Sequence, residues 1–241
     1  MDMEEHLADA ARKQEFVTTL FDAIAPGYDA FTRYFSFGMD KRWKRRLFQL
    51  ATERVEKNGI VVDIACGTGD LALGIREPCR PRLVVGLDPS SEMLRVAQAK
   101  SRGSQTLAFV AGDALATPIQ SGAADAVLMG YCLRNTSDWR RGVAETARIL
   151  RSGGVFLNLD FYLPANLLWR KLFLFYILRA GQLAGWLWHR EPVTYGYIAP
   201  SIRDFATATD FEEVLLRSGF ATVESVQYLG GAVCVHVAER A

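Results

Sequence analysis

The stretch Ile60-Val61-Val62-Asp63-Ile64-Ala65-Cys66-Gly67-Thr68-Gly69-Asp70 decides the fold. Ile60 to Ala65 is apolar but for Asp63, the pattern of a strand covered on both faces of a parallel sheet. It runs into Gly67 and Gly69, whose missing Cβ atoms let backbone approach a ligand, and a helix starting there would offer unpaired N–H groups. A lone GxG also occurs in plain strand-to-helix turns, so the surrounding sequence has to decide.

Outward from this segment lie four similar runs: Arg82 to Asp88, Leu107 to Asp113, Ala124 to Gly130 and Gly154 to Phe161. SSEMLRVAQAK (residues 90–100) and SDWRRGVAETARILRSGG (137–154) read as helices between them, the second with Ser137 or Asp138 as N-cap and Gly153-Gly154 as its end. Strands alternating with helices predict a doubly wound α/β sheet. Near the C-terminus, ATVESVQYL and AVCVHVAER flank Gly230-Gly231, a tight hairpin signal, so the last strand should run antiparallel.

Asp63, Asp88 and Asp113 close three successive strands at the carboxyl edge, where open α/β sheets bind ligands. Asp88 can accept hydrogen bonds from ribose hydroxyls, and Asp113-Ala114 is placed to meet an adenine ring. A dinucleotide is the rival ligand, since Ala72 marginally completes G-x-G-x-x-G/A. Asp70, however, would repel a pyrophosphate and suits the ammonium of a sulfonium amino acid, which favours S-adenosylmethionine.

A chain of 241 residues, 50% hydrophobic, can bury one core with an elaborated lobe. With 28 basic and 27 acidic side chains, no global field draws it to nucleic acid, and no base-stacking motif accompanies its basic run. Cys66, Cys79, Cys132 and Cys234 form no CxxC pair, and His6, His189 and His236 are dispersed; neither a metal site nor a disulfide framework is expected. The polar, acidic N-terminus MDMEEHLADAARKQEF argues against a secretory signal and for the cytoplasm.

Several longer segments resemble the UbiE/MenG family of ubiquinone and menaquinone biosynthesis methyltransferases: FDAIAPGYDAFTRYFSFGMDKRWKR, VVDIACGTGDLA, GYCLRN, RILRSGGVFLNLDF and YGYIAPSIRDF. The resemblance implies a Rossmann-like class I methyltransferase with a seven-stranded, mostly parallel sheet. Its parts would be a helical N-terminal lid (1–55), a cofactor core (56–162), an apolar insertion (163–203) and a C-terminal helix and hairpin (204–241). It further implies C-methylation of a prenylated quinol ring. Gly67, Thr68, Gly69, Asp70 and Gly130 would join Asp63, Asp88, Asp113 and Ala114 around the cofactor. Tyr28, with Asp29, would belong to the lid, and Tyr131, Arg134 and Asn135 would face the substrate, with Tyr28, Arg134 and Asn135 taking part in catalysis. Arg134 cannot act as a convenient base, being always charged, but it can stabilise a phenolate whose unperturbed pKa is near ~10. Another lipophilic or aromatic substrate, or a non-enzymatic quinone-binding scaffold, are the alternatives; a homodimer or a biosynthetic complex is left open.

Two surface features remain. Leu163 to Arg190 is the most apolar stretch, but Arg170, Lys171 and Arg179 keep it short of the ~18 to 20 apolar residues of a span. It reads as one or two helices that line a greasy pocket, lie against the inner face of a bilayer, or serve as ordinary core helices of an inserted lobe, with Trp169, Trp186 and Trp188 suited to an interface. Lys41-Arg42-Trp43-Lys44-Arg45-Arg46 is either a solvated helix face or an anionic-lipid patch anchored by Trp43.

Overall fold

A computed structural model of the chain describes residues 10–190 and 193–241. The acidic stretch ahead of residue 10, with His6, and the side chain of His189 lie outside the described residues.

Strands β1 (Ile60–Ile64), β2 (Leu83–Asp88), β3 (Leu107–Ala111), β4 (Ala124–Gly130), β5 (Leu150–Phe161), β6 (Phe220–Tyr228) and β7 (Val233–Arg240) form one sheet in the order β3-β2-β1-β4-β5-β7-β6. β1 pairs parallel with β2 and β4, and β4 with β5; β7 runs antiparallel to both β5 and β6. The expected seven strands with an antiparallel last strand are therefore present. The order reverses at β1 and β4, so the carboxyl ends of these strands open a crevice.

Around the sheet lie α1 (Ala10–Ile24), α2 (Tyr28–Phe35), α3 (Asp40–Arg54), α4 (Asp70–Gly74), α5 (Arg76–Cys79), α6 (Ser91–Lys100), α7 (Trp139–Ile149), α8 (Leu167–His189), α9 (Val193–Gly196), α10 (Ile198–Arg203) and α11 (Ala208–Arg217). Asp138 caps α7 through the Arg140 and Arg141 amides. The helix expected to run to Gly153-Gly154 stops at Ile149, because the chain enters β5 directly and the glycines form an irregular entry, with Gly153 at φ 72°. The hairpin link is also longer than two glycines. It spans residues 229–232, with Leu229, Gly230 and Gly231 all at positive φ.

Apolar side chains fill both faces of the sheet, with Val62, Met129 and Phe156 on one and Val61, Leu128 and Leu157 on the other. A third cluster joins lid to insertion: Ile24 and Phe31 pack with Phe173, Ile177 and Tyr195. The N-terminal helices and the helices after β5 thus share a core. Trp43 is 2% exposed and packs near Phe161 and Tyr228, which corrects its reading as a surface anchor.

Candidate active site

Three cavities meet over the crevice, and Tyr28 and Tyr131 line all of them. The first is bounded by Asp88, Ala114, Asn135, Val17 and Phe21. Asp88 is 6% exposed: Oδ2 accepts from the Gly67 amide at 2.8 Å and Oδ1 from that of Ser90 at 2.9 Å. Four lone-pair sites on a carboxylate leave capacity for two ligand hydroxyls. Burial pushes its pKa up to about 6.

The second cavity lies against Asp63, Gly67, Thr68 and Asp70. Asp63 accepts from the Ala72 amide through Oδ2 at 2.8 Å, while buried Oδ1 has no partner. Burial raises this carboxyl to about 8, helped by Asp88 and Asp70. A cation arriving there would restore its charge. Gly67 takes φ 53°, and a Cβ there would meet only Met93 Sδ, at 4.0 Å.

Two expected contacts sit differently. Gly69 lines none of these cavities: at φ 84° it caps α4, and a Cβ would come within 3.1 Å of Ala97. Asp113 is likewise absent from the lining and shapes the turn that presents Ala114, accepting from the Leu115 amide at 2.9 Å. Asp70 does line the second cavity but is claimed by Lys44 at 2.8 Å and Lys100 at 3.2 Å. Its charge is thereby largely spent, which weakens the pyrophosphate argument and leaves Asp63 as the stronger candidate partner for an ammonium.

The third cavity is aromatic, bounded by Phe31, Phe35, Phe161, Tyr195 and Tyr197, with Arg134 as the one charged side chain among the described residues lining it. Arg134 comes from the short turn after β4 and is 6% exposed. Its Nη1 donates to Asp160 Oδ1 at 2.7 Å and to the Tyr131 carbonyl at 2.8 Å. That carbonyl also accepts from Asn135 Nδ2 at 3.0 Å, because Tyr131 takes φ 58°, a left-handed conformation costly for an aromatic residue and typical of functional sites. Burial works against Arg134's charge, but Asp160 more than compensates and its pKa lies above the ordinary value. Burial also lifts the Tyr28 hydroxyl to about 12, with Arg134 opposing.

Nine buried side-chain N and O atoms lack a partner among the described residues. Asp63 Oδ1, Tyr131 Oη, Arg134 Nε and Asn135 Oδ1 belong to residues lining these cavities, and Asp160 Oδ2 stands behind Arg134. Such a concentration calls for a ligand to complete it.

The N-terminal helices α1 and α2 are tied to the rest of the chain at three points. Asp22 accepts from Ser90 Oγ at 2.6 Å, Asp29 accepts from Thr68 Oγ1 at 2.5 Å and pairs with Lys100, and Lys13 donates to the Thr136 carbonyl at 2.7 Å. Sequence reasoning assigned no role to Asp22, Lys13 or Asp160. Asp160 carried a usable signal, since it stands near the end of β5 as Asp63 and Asp88 stand near the ends of theirs.

A strand-order switch, a glycine loop, an acceptor for ribose hydroxyls and an orphaned carboxylate for an ammonium fit S-adenosylmethionine, and together with the antiparallel last strand they define a class I methyltransferase. Solved structures agree on the fold: a SAM-dependent methyltransferase of Thermotoga maritima has a TM-score of 0.63 at 17% identity, over 92% of this chain and 99% of that one. A chain of the Haloferax volcanii complex of the Trm112 activator with a methyltransferase scores 0.65 at 20% identity, covering 91% and 96%. Residues 9–240 match the ubiE/COQ5 methyltransferase family, and the chain belongs to it. Among relatives, the demethylmenaquinone methyltransferase of Thermus thermophilus is 34% identical over 92% of this chain and 100% of its own length. The ubiquinone/menaquinone biosynthesis C-methyltransferase UbiE of Geotalea uraniireducens is 32% identical over 95% and 97%.

Proposed function

We propose that this enzyme methylates a ring carbon of a prenylated quinol. The observation that carries the reading is the aromatic cavity holding Arg134, which touches both cofactor cavities at Tyr28 and Tyr131. Bound there, S-adenosylmethionine supplies an electrophilic methyl group. The protein's task is to hold the ring carbon in line and favour loss of the adjacent hydroxyl proton. Arg134 stabilises the developing phenolate in a site walled by aromatic rings, where a charge is weakly screened. Asp160 and the Tyr131 carbonyl fix its guanidinium, and Asn135 Oδ1 offers an acceptor on the nucleoside side.

No described helix is long and apolar enough to cross a membrane. The outer face of α8 nevertheless exposes Leu168, Leu172, Phe175 and Trp186, and Phe37 before α3 is 77% exposed. Lys41, Arg42 and Arg45 stand exposed on the helix that follows. This combination supports peripheral attachment to an anionic lipid surface, from which the substrate would be drawn.

Incubation with labelled S-adenosylmethionine and either demethylmenaquinol or the ubiquinol precursor tests the reading. Methylation of at least one ring carbon is expected. Transfer only to unprenylated aromatics would point to the other lipophilic-substrate reading, and no transfer to a scaffold.

A further inference from the structure

Phe35, at the end of α2, lines two spaces at once: the aromatic cavity beside Arg134 and an outer groove between α2 and α8. Tyr34 and Phe37 line the groove from one side and Leu183, Leu187 and Trp188 from the other, and among the described residues no charged side chain lines it. On α8 its lining runs from Tyr176 to Trp188, about 18 Å of helix at the usual rise per residue. Phe31 stacks on Phe35 at 5.0 Å and meets Trp188 edge-on at 6.1 Å, so side-chain rings partition the two spaces.

A quinol ring seated beside Arg134 carries a hydrocarbon tail longer than that cavity can hold. The tail must leave by a route that never exposes it to an ion pair or an unpaired peptide group. The cofactor side is closed to it by Asp63, Asp70 and Lys44, whereas the Phe35 side opens on aromatic and aliphatic carbon. Leu183 and Leu187 are 58% and 59% exposed, an apolar strip that a soluble surface does not ordinarily leave bare. Resting on the quinol reading above, we propose that the groove between α2 and α8 holds the proximal isoprene units of the substrate, with the tail passing Phe35 on its way to the bilayer. The groove is then a tail-reading subsite. Its effect is confined to prenylated substrates.

Ala180 is a small residue lining the groove, and Ala180→Phe fills it while keeping the surface apolar. Assayed in nonionic detergent micelles, where membrane docking plays no part, this variant should raise KM for a long-tailed demethylated quinol by ~10-fold, the scale of discrimination by an apolar pocket. kcat/KM for the same quinol without a tail, and cofactor affinity, should stay at parent values. Leu183→Ser, at an exposed position that leaves the core intact, should act in the same direction. Farnesol should compete with the long-tailed substrate and not with the tail-less one. Equal effects on both substrates, or none on the long-tailed one, would overturn the proposal, as would a dimer in sedimentation equilibrium that Ala180→Phe dissolves, since a second copy would then occupy the groove. If the parent methylates neither quinol, it is the quinol reading that fails; calorimetric binding of farnesol to the parent and not to Ala180→Phe still decides the groove.

Discussion

Arg134 and Asp160 form a buried ion pair, Nη1 to Oδ1 at 2.7 Å, with side chains 5% and 0% exposed. Each keeps an unpaired atom, Nε on one and Oδ2 on the other. The pair therefore anchors the guanidinium at the aromatic cavity without exhausting its hydrogen-bonding capacity.

This coupling changes what a single truncation measures. Arg134→Ala should lower turnover by ~100-fold or more through lost phenolate stabilisation. It should also destabilise the fold by ~3–5 kcal/mol, because Asp160 is left as a buried unpaired carboxylate. The double variant Arg134→Leu with Asp160→Leu should recover most of the stability and none of the turnover. Urea denaturation and single-turnover assays on all three proteins separate the effects; a double variant that regains activity would make Arg134 a structural residue only.

Asp63 predicts how cofactor affinity varies with pH. Its carboxyl is raised to about 8 by burial, so folding takes up a proton that the unfolded chain, near pH 4, would release. The stability gained from that proton is present at acid pH and is lost as pH rises from about 4 through about 8. A cationic ligand binds the ionised form and should expel the proton, so affinity should fall as pH drops below about 8. It should fall more steeply below about 6, where Asp88 also takes up a proton. Calorimetry in two buffers of different ionisation enthalpy at pH 7 should count close to one proton released on binding, and Asp63→Asn should abolish that release. A buffer-independent heat in the parent would contradict the assignment.

The lid contacts give a kinetic prediction. Asp29 joins α2 to Thr68 of the glycine loop and to Lys100 of α6, and exchange of cofactor past α2 would require these bonds to open. Asp29→Ala should speed cofactor dissociation by ~10-fold, the value of one charged hydrogen bond of about 1.5 kcal/mol, in stopped-flow. The sheet's unfolding midpoint should barely move. An unchanged dissociation rate would mean that exchange occurs without displacing α2.

The parts of this molecule legible in the sequence are those governed by short-range rules. Continuous apolar runs fixed four of the five parallel strand positions nearest the cofactor to within a residue or two at one end, and the Gly67 turn marked the crevice. The extent of α7 was misread because Gly153 and Gly154 look like a helix terminus, yet the chain turns into a strand four residues earlier. Asp70 does line the second cavity, but its partners Lys44 and Lys100 lie 26 and 30 residues away, beyond any local pattern. Asp160 has a local signal in its place near the end of β5, but its partner Arg134 lies across the β4 to β5 crossover. Trp43 shows the limit of charge-run reading: Lys41, Arg42 and Arg45 of the run are exposed, while the indole between them is buried in the core.

The surface of α8 supports the last prediction. Leu168, 70% exposed, and Leu172, 55% exposed, stand one helical turn apart, away from the groove lining, so charging them should leave the fold and the tail route intact. If this face enters the lipid interface, the contribution is hydrophobic, and the exposed Lys41, Arg42 and Arg45 add an electrostatic one. Each basic residue near an anionic surface is worth about 1 kcal/mol. Leu168→Glu with Leu172→Glu should therefore reduce sedimentation with phosphatidylserine vesicles at every salt concentration. Lys41→Glu with Arg45→Glu should reduce it at low salt and matter little at high salt, where the Debye length falls to ~3 Å near 1 M. Turnover of a tail-less quinol in solution should be unaffected by either pair. Vesicle binding that survives both pairs would place the attachment on another face of the protein.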